Sequence, residues 1–169
     1  GLLGIVIPEE YGGAGLDFVS EAIVCEEIER GENAFRTLIS VHVGLNSLAL
    51  LKYGTEEQKQ RYLVPQAKGE KLGCFGLTEP GAGSDVVAMR STATENKGSF
   101  ILNGQKTWIS FATIADTALV FAKTDSDAGH KGITAFLIER NWPGITTKEI
   151  PGKLGAWAGS TGEIFMEDV

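Results

Sequence analysis

The chain has 169 residues and a formal net charge of −7 at pH 7, and its 43% hydrophobic and 22% charged residues are typical of a soluble globular protein of one ordinary or two small domains. The negative charge and the scattered lysines and arginines argue against a nucleic-acid partner, and no run of about 18 apolar residues predicts a membrane span. Two cysteines, Cys25 and Cys74, lack metal-ligand spacing, so we expect no metal site, no disulfide framework, two core thiols and a reducing compartment.

Helical patterns dominate the chain up to residue 70. Asp17 is predicted to cap a first helix, "FVSEAIVCEEIER", that ends at Gly31. Asn33 is predicted to cap a second, largely apolar helix that ends at Gly54. These signals predict a partial helical N-terminal domain over residues 1–70.

A third helix is predicted from a capping-box pattern. Thr55 and Gln58 stand three residues apart at the start of "TEEQKQRYLVPQAKG", where each side chain can accept a hydrogen bond from the backbone N–H of the other. We expect Pro65 to kink or end this helix, because proline lacks the N–H that a helix interior needs.

After residue 70 the pattern changes to short β-like runs separated by turn residues. Asn103-Gly104 lies between two such runs and predicts a hairpin turn. The segments "TALVFAKT", "GITAFLIER" and "GEIFMED" predict further strands. We therefore predict an α+β protein in which residues 71–169 form an antiparallel, barrel-like β-domain.

The two ends of the chain suggest a piece of a longer protein. The sequence starts at "GLLGIVIPEE" without an initiator methionine and stops at "EIFMEDV" directly after an alternating pattern. We expect the first helices of the N-terminal domain and a C-terminal domain to lie outside this chain.

The stretch "CFGLTEPGAGSD" joins a β-like run to a glycine loop. It does not match the dinucleotide-binding fingerprint, because Val86 stands where a third glycine would follow Gly81 and Gly83. It does not match the phosphate-binding P-loop, because no Gly-Lys-Ser/Thr follows. Any phosphate here would be held by the loop rather than by a long helix end.

Several motifs in order resemble the acyl-CoA dehydrogenase family. "CFGLTEPGAGSD", "LNGQKTWIS", "GITAFLIE" and "PGI" are similar to the middle domain of that family, and "PEEYGGAG" is similar to its N-terminal helical domain. The resemblance covers essentially the whole chain. It implies the acyl-CoA dehydrogenase fold without its C-terminal helical domain, and a flavoprotein that binds FAD and an acyl-CoA thioester.

The resemblance also implies the cofactor-binding residues. The first flavin segment would run from Phe75 to Ser84, with the Thr78 hydroxyl directed to the flavin ring and glycines that allow close approach. The second would be "WIS", in which Ser110 takes the place of the commoner threonine near flavin N5. The expected cofactor-binding residues are Phe75, Gly76, Leu77, Thr78, Gly81, Gly83, Ser84, Trp108, Ile109 and Ser110, and Ser84 is also expected near the CoA moiety.

In this family a carboxylate removes the α-hydrogen of the thioester while the β-carbon gives hydride to flavin N5, which yields a 2-enoyl-CoA. The resemblance places the glutamate base in the C-terminal domain, so we expect no catalytic base here and no turnover by these 169 residues alone. Glu79 belongs to the flavin loop and is not taken as the base.

The second helix carries the clearest clue to the acyl group. Arg36, Ser40, Gly44 and Ser47 lie on one narrow face of an otherwise apolar helix. An arginine there could hold a carboxylate with two hydrogen bonds. The stretch resembles the glutaryl-CoA dehydrogenase branch, which implies that Arg36 contacts the distal carboxylate of the substrate and that the Thr37 hydroxyl assists. Ser40, on the same face as Arg36, is also predicted to bind substrate.

One alternative interpretation remains for the arginine of this helix. Arg36 could pair with Glu29 or Glu32 instead of with a substrate. His42 is expected to be a packed or hydrogen-bonded residue rather than a catalyst.

Other functions and surroundings stay open at this stage. The alternative enzymes are dehydrogenases of short-chain, branched or cyclic acyl-CoAs and an acyl-CoA oxidase, and the alternative without chemistry is a binding protein that retains the fold. The family implies a homotetramer and an electron-transfer flavoprotein as electron acceptor. Bacterial cytoplasm and mitochondrial matrix are both expected locations.

Overall fold

A computed structural model describes residues 1–169. Its N-terminal part is helical. It begins with two short 3₁₀ turns, Leu2–Gly4 and Glu9–Tyr11. Three helices follow: α1 (Phe18–Glu29), α2 (Asn33–Tyr53) and α3 (residues 56–67). The second and third helices widen in their middles into π-helical turns, at Ser40–Ser47 and Lys59–Leu63.

The helix caps follow the sequence with small corrections. The Asp17 carboxylate accepts from the backbone N–H of Ser20 at 2.8 Å and caps α1, as predicted. The cap of α2 is Glu32 rather than Asn33, because the Glu32 side chain accepts from the N–H of Ala34. The predicted capping box of α3 is present, and that helix continues past its proline to residue 67.

The C-terminal part is one seven-stranded mixed sheet. Six of its strands follow the order β1-β4-β2-β3-β7-β6, and the seventh strand, β5, pairs with β4. The α+β class is therefore confirmed, with one correction. Strand β1 runs parallel to β4, and β2 meets β4 through one parallel pair, whereas the other pairings are antiparallel. The strands are β1 Gly73–Gly76, β2 Thr92–Asn96, β3 Ser99–Ser110, β4 Thr117–Lys123, β5 Ile133–Glu139, β6 Ile145–Glu149 and β7 Thr161–Met166.

Two apolar clusters form the core. The larger lies within the sheet and contains Cys74, whose burial raises the pKa of its thiol to about 12 and makes it inert. The smaller lies under the helices around Ile7 and Leu63. Cys25 is only half-buried on α1, so the prediction of a core thiol holds for Cys74 alone.

Buried hydrogen bonds join the helices to the sheet. Nδ1 of His42 accepts from the backbone N–H of Gly73 at 2.9 Å, which leaves Nε2 to donate to the carbonyl of Gln66 at 3.1 Å. Asn46 donates to the carbonyl of Cys74 at 2.8 Å. Because these side chains are fully buried, the start of β1 is fixed against the middle of α2. His42 thus has the structural role expected from the sequence.

By length and composition alone, α2 could cross a membrane. Its 18-residue window has a mean hydropathy of 1.4, contrary to the expectation that no such stretch exists. A core helix of a soluble protein passes the same test, and α2 places His42 and Asn46 in hydrogen bonds with the rest of the fold.

The predicted hairpin at Asn103-Gly104 is wrong. Strand β3 runs straight through these residues, and the turn before it lies at Lys97 and Gly98, whose φ angles are 52° and 83°. Gly104 instead marks the point where β3 exchanges its partner β2 for β7. Its φ is 149°, and a Cβ there would lie 2.2 Å from Oγ of Ser91.

We predict that Gly104→Ala destabilises the fold by about 2 kcal/mol or more, because both the backbone angle and Ser91 oppose a Cβ. Gly155→Ala is the matched control, since Gly155 has open space around it, and should change stability by less than about 0.5 kcal/mol. Thermal unfolding of the full-length variants measures both effects. Equal midpoints for the two variants would contradict the proposed close contact.

Burial predicts a pH dependence at His42. Desolvation lowers the pKa of this imidazole in the folded state, while its pKa in the unfolded chain is about 6.5. The unfolded state therefore binds more protons below that pH, and stability falls as the solution is acidified. Between pH 8 and pH 5.5 the thermal unfolding midpoint should fall further in the wild type than in His42→Gln. The amide of that variant can make both hydrogen bonds without titrating. Identical losses would show that His42 is not the titrating group.

Candidate functional site

The glycine loop after β1 is a tight turn with an open tip. The backbone N–H and carbonyl of Glu79 exchange hydrogen bonds of 3.0 and 3.1 Å with those of Ala82. Gly81 and Gly83 have no positive φ, and a Cβ added at either would meet nothing within 4 Å. Neither glycine is required by the backbone angle or the packing of this chain, so the open space above the loop suits the close approach of a ligand.

A bulge in β3 presents the second predicted segment. Between the pairs Lys106↔Ile164 and Ile109↔Gly162, β3 advances three residues while β7 advances two. Within the bulge Trp108 has a φ of 60°, an unfavourable angle for an aromatic residue, and its side chain is 63% exposed. A strained backbone that turns a large indole out of the sheet is a feature of ligand-binding sites.

The loop and the bulge lie side by side. The backbone N–H of Thr107 donates to the carbonyl of Thr78 at 2.9 Å. Thr78 and Trp108, which belong to the two predicted flavin segments, are therefore brought close together by their backbones.

A buried ion pair lies beneath this contact. Nζ of Lys106 is 2.7 Å from Oε1 of Glu79 and 3.3 Å from the carbonyl of Leu77. The lysine side chain is fully buried and the carboxylate is 5% exposed. The Glu79 carboxylate also accepts from the backbone N–H groups of Arg90, at 2.5 Å, and Ser91, at 3.0 Å.

Burial and hydrogen bonding act in opposite directions on Glu79. Burial alone would raise its pKa, but the bonds from Arg90, Lys106 and Ser91 bring the pKa below its usual value. Burial lowers the pKa of the Lys106 ammonium, and the neighbouring carboxylate opposes that change. A carboxylate kept ionised by three donors is a structural anion rather than a general base at neutral pH.

Two predicted cofactor residues, Gly76 and Ile109, are buried, and a third, Phe75, is partly buried. Phe75 packs on Phe121 with ring centroids 5.1 Å apart, and Ile109 is 2% exposed in the core. A Cβ at Gly76 would lie 2.9 Å from Val120, so this glycine serves the packing of β1. Gly76 and Ile109 thus face the interior, whereas Phe75 stays partly accessible beside Phe121.

The remaining predicted positions are accessible. Leu77, Thr78 and Ser110 are partly exposed, and Ser84 is exposed after the loop tip. Together with Gly81, Gly83 and Trp108 they are the accessible predicted positions, and they include three hydroxyl groups and one large aromatic ring. The donors and the open glycines fit a flat heteroaromatic cofactor such as a flavin.

The predicted carboxylate-binding residues lie at the start of α2. Nε of Arg36 is 2.6 Å from Oε2 of Glu29, and one terminal nitrogen donates to Oγ of Ser40 at 3.2 Å. The Thr37 hydroxyl donates to the backbone carbonyl of Asn33 at 3.0 Å. The structure therefore contains the alternative ion pair with Glu29, and it also brings the predicted Ser40 to the guanidinium.

Ser47 departs from the predicted polar face. Its hydroxyl is buried and donates to the side chain of Gln66 at 2.9 Å. Of the predicted polar face of α2, Arg36, Ser40 and Gly44 are accessible. Gly159 lies between the start of this helix and the residue after β3. A Cβ added at Gly159 would lie 3.2 Å from the side chain of Ala34 and 3.5 Å from that of Phe111.

Sequence reasoning missed Lys106. The signal was present, since Lys106 has the same strand parity as the buried Leu102, four residues earlier. A charged residue on the core side of a strand requires a buried counter-ion. Glu79 was recognised only as part of the loop.

We predict that Trp108→Gly is more stable than Trp108→Ala by about 1 kcal/mol, because the left-handed backbone at this position favours glycine. Phe100 is the control, as a half-exposed aromatic of the same strand without a positive φ, where alanine should be the more stable. Urea unfolding of the glycine and alanine variants at both positions, as apo-proteins, measures their order of stability. The same order at both positions would refute strain at Trp108.

Two family models match the chain. The acyl-CoA dehydrogenase N-terminal domain matches residues 1–70, and the acyl-CoA dehydrogenase middle domain matches residues 74–169. A glutaryl-CoA dehydrogenase of Desulfococcus multivorans is 48% identical over 172 residues, which cover 100% of this chain and 44% of that protein. The mitochondrial short-chain specific acyl-CoA dehydrogenase of Homo sapiens is 45% identical, over 99% of this chain and 41% of that protein.

Solved structures give the same result. A glutaryl-CoA dehydrogenase in complex with glutaryl-CoA has a TM-score of 0.96 at 48% identity, over 100% of this chain and 43% of that one. A glutaryl-CoA dehydrogenase of Mycobacterium smegmatis with FADH2 has a TM-score of 0.93 at 41% identity, over 100% and 42%. A chain in a structure named for the electron transferring flavoprotein of Acidaminococcus fermentans has a TM-score of 0.96 at 43% identity, over 99% and 44%.

The chain spans less than half the length of the relatives it matches. Because the two family models together account for residues 1–70 and 74–169, the chain belongs to the acyl-CoA dehydrogenase family.

Proposed function

We propose that this chain contributes the flavin and acyl-CoA surfaces of an FAD-dependent acyl-CoA dehydrogenase. The observation that carries the proposal is the contact between the open glycine loop and the strained bulge, through the Thr107 N–H and the Thr78 carbonyl. Relatives that cover the whole chain include enzymes named for acyl-CoA substrates and a structure with reduced FAD.

The accessible residues divide into three roles. Trp108 supplies a flat apolar surface for the isoalloxazine, and Thr78 and Ser110 supply hydroxyl groups toward its polar atoms. The open backbone at Gly81 and Gly83 allows the cofactor to approach the loop. FAD, when bound, supplies hydride acceptance and later electron transfer, which no side chain can perform. Gly76 and Ile109 serve this site through backbone and packing, since both are buried, whereas Phe75 packs on Phe121 and stays partly exposed.

The acyl group that we propose is glutaryl. The two contacts of Arg36 engage Nε and one terminal nitrogen, so the other terminal nitrogen is left for a second carboxylate. Glu29 fixes the guanidinium from one side and Ser40 from the other. A dicarboxylic acyl chain would place its distal carboxylate against this arginine, whereas an aliphatic acyl chain offers it nothing.

The second candidate is a dehydrogenase of short-chain, branched or cyclic acyl-CoAs. It is favoured by the same Arg36–Glu29 contact, because a guanidinium that already has a carboxylate partner can be purely structural. The 45% identity to a short-chain enzyme supports it as well.

The remaining partners are also proposals. We propose an electron-transfer flavoprotein as the acceptor, a homotetramer for the full-length protein, and bacterial cytoplasm or mitochondrial matrix as its location. The catalytic carboxylate is proposed to lie outside these residues, and the isolated chain is expected to be inactive.

The proposal is tested by anaerobic bleaching of the flavin in the full-length protein with glutaryl-CoA and with butyryl-CoA. We predict that glutaryl-CoA reduces the flavin and that Arg36→Ala slows this reduction by roughly 30-fold or more, because a carboxylate loses its charged partner. Butyryl-CoA should be affected much less.

Arg30→Ala is the matched control, since Arg30 forms an exposed ion pair with Glu27 at 3.2 Å and should leave both substrates unchanged. An equal loss with both substrates in Arg36→Ala would make Arg36 structural and favour the second candidate. A protein that takes up no FAD would overturn the proposed function altogether.

A further inference from the structure

The Glu79–Lys106 ion pair has no role in the proposed chemistry, although Glu79 belongs to the first predicted flavin segment and Lys106 lies two residues before the second. We propose that it is a positioning pair, which fixes the loop of Leu77–Glu79 against the bulge of β3 and so holds Thr78 and Trp108 in the arrangement that binds the isoalloxazine. This inference rests on the proposed function, because it assigns the pair to the flavin site.

The first support is the series of contacts between the segments. Lys106 bonds to the carboxylate of Glu79 and to the carbonyl of Leu77, and the next residue, Thr107, bonds to the carbonyl of Thr78. Adjacent residues of β3 are thus tied to three consecutive residues of the loop. The residue that follows them is Trp108.

The second support is the set of backbone hydrogen bonds that the Glu79 carboxylate accepts in addition to that from Lys106. Glu79 also accepts from the backbone N–H groups of Arg90 and Ser91, immediately before β2. One carboxylate therefore joins the loop, the bulge and the start of β2. The tip of the loop at Gly81 makes no such contact and stays open.

The third support is the burial of the lysine. A Cβ at Gly76 would lie 3.4 Å from Cγ of Lys106, so a glycine in β1 leaves room for the aliphatic stem of that side chain. Apolar residues in place of a buried ion pair are often as stable as the pair. The distinctive contribution of the charged pair is directional hydrogen bonding between segments.

Three variants of the full-length protein separate positioning from simple stability: Lys106→Met, Glu79→Gln and the double variant. We expect Lys106→Met to lower the unfolding midpoint of the apo-protein and to weaken FAD binding by about tenfold or more, as misplaced contacts do. The milder Glu79→Gln should act in the same direction. The double variant removes both charges, so its midpoint should recover toward the wild type while its FAD affinity stays low.

The readouts are thermal unfolding of the apo-protein and the dissociation constant of FAD from fluorescence titration. Lys71→Met is the control, since Lys71 forms a half-exposed ion pair with Asp116 at 3.2 Å, and should change neither readout. FAD affinity that recovers together with the midpoint in the double variant would make the pair structural only. Unchanged FAD binding in both single variants would also overturn the proposal, whereas a wild type that binds no FAD would overturn the proposed function with it.

Discussion

A lysine ammonium fully removed from water constrains the centre of this protein. Lys106 has no access to solvent, so its charge is tolerated only because the Glu79 carboxylate lies 2.7 Å away. That carboxylate in turn depends on two backbone N–H groups before β2. The path of the glycine loop, the position of the bulge and the start of β2 are therefore coupled through one buried contact.

A second constraint joins the helical part to the sheet. Parallel pairing of β1 with β4 leaves β1 beside the middle of α2, where π-helical turns carry His42 and Asn46. Both side chains satisfy backbone groups of residues 73 and 74, so the helix replaces a neighbouring strand as hydrogen-bond partner. The orientation of α2 also determines where Arg36 lies, because the same rigid helix carries both.

The site combines rigid support with a strained, open surface. The Glu79–Lys106 pair that supports it is buried and hydrogen-bonded, while Trp108 is exposed at a left-handed backbone angle. Such strain persists only where surrounding contacts over-determine the backbone. A backbone already held in position has little conformational entropy left to lose when a ligand binds.

Local signals in the sequence predicted a large part of this structure. The cap at Asp17, the capping box at Thr55 and the strands β4, β5 and β7 depend on neighbouring residues, and all are present. The predicted turn at Asn103-Gly104 was wrong because the same dipeptide can serve a strand that changes partner, and only long-range pairing distinguishes the two.

The same distinction between local sequence signals and long-range contacts applies to the candidate site. The motifs and their order determined the family, and the residue types of the site are those of the motifs. Both are properties of the amino-acid sequence itself. Which side chains are accessible was decided by the tertiary structure, which buried Ile109, exposed Trp108 through a bulge, and paired Arg36 with Glu29. Burial, strand register and contacts between distant residues arise only when separate segments pack together, and no local pattern of residues specifies them.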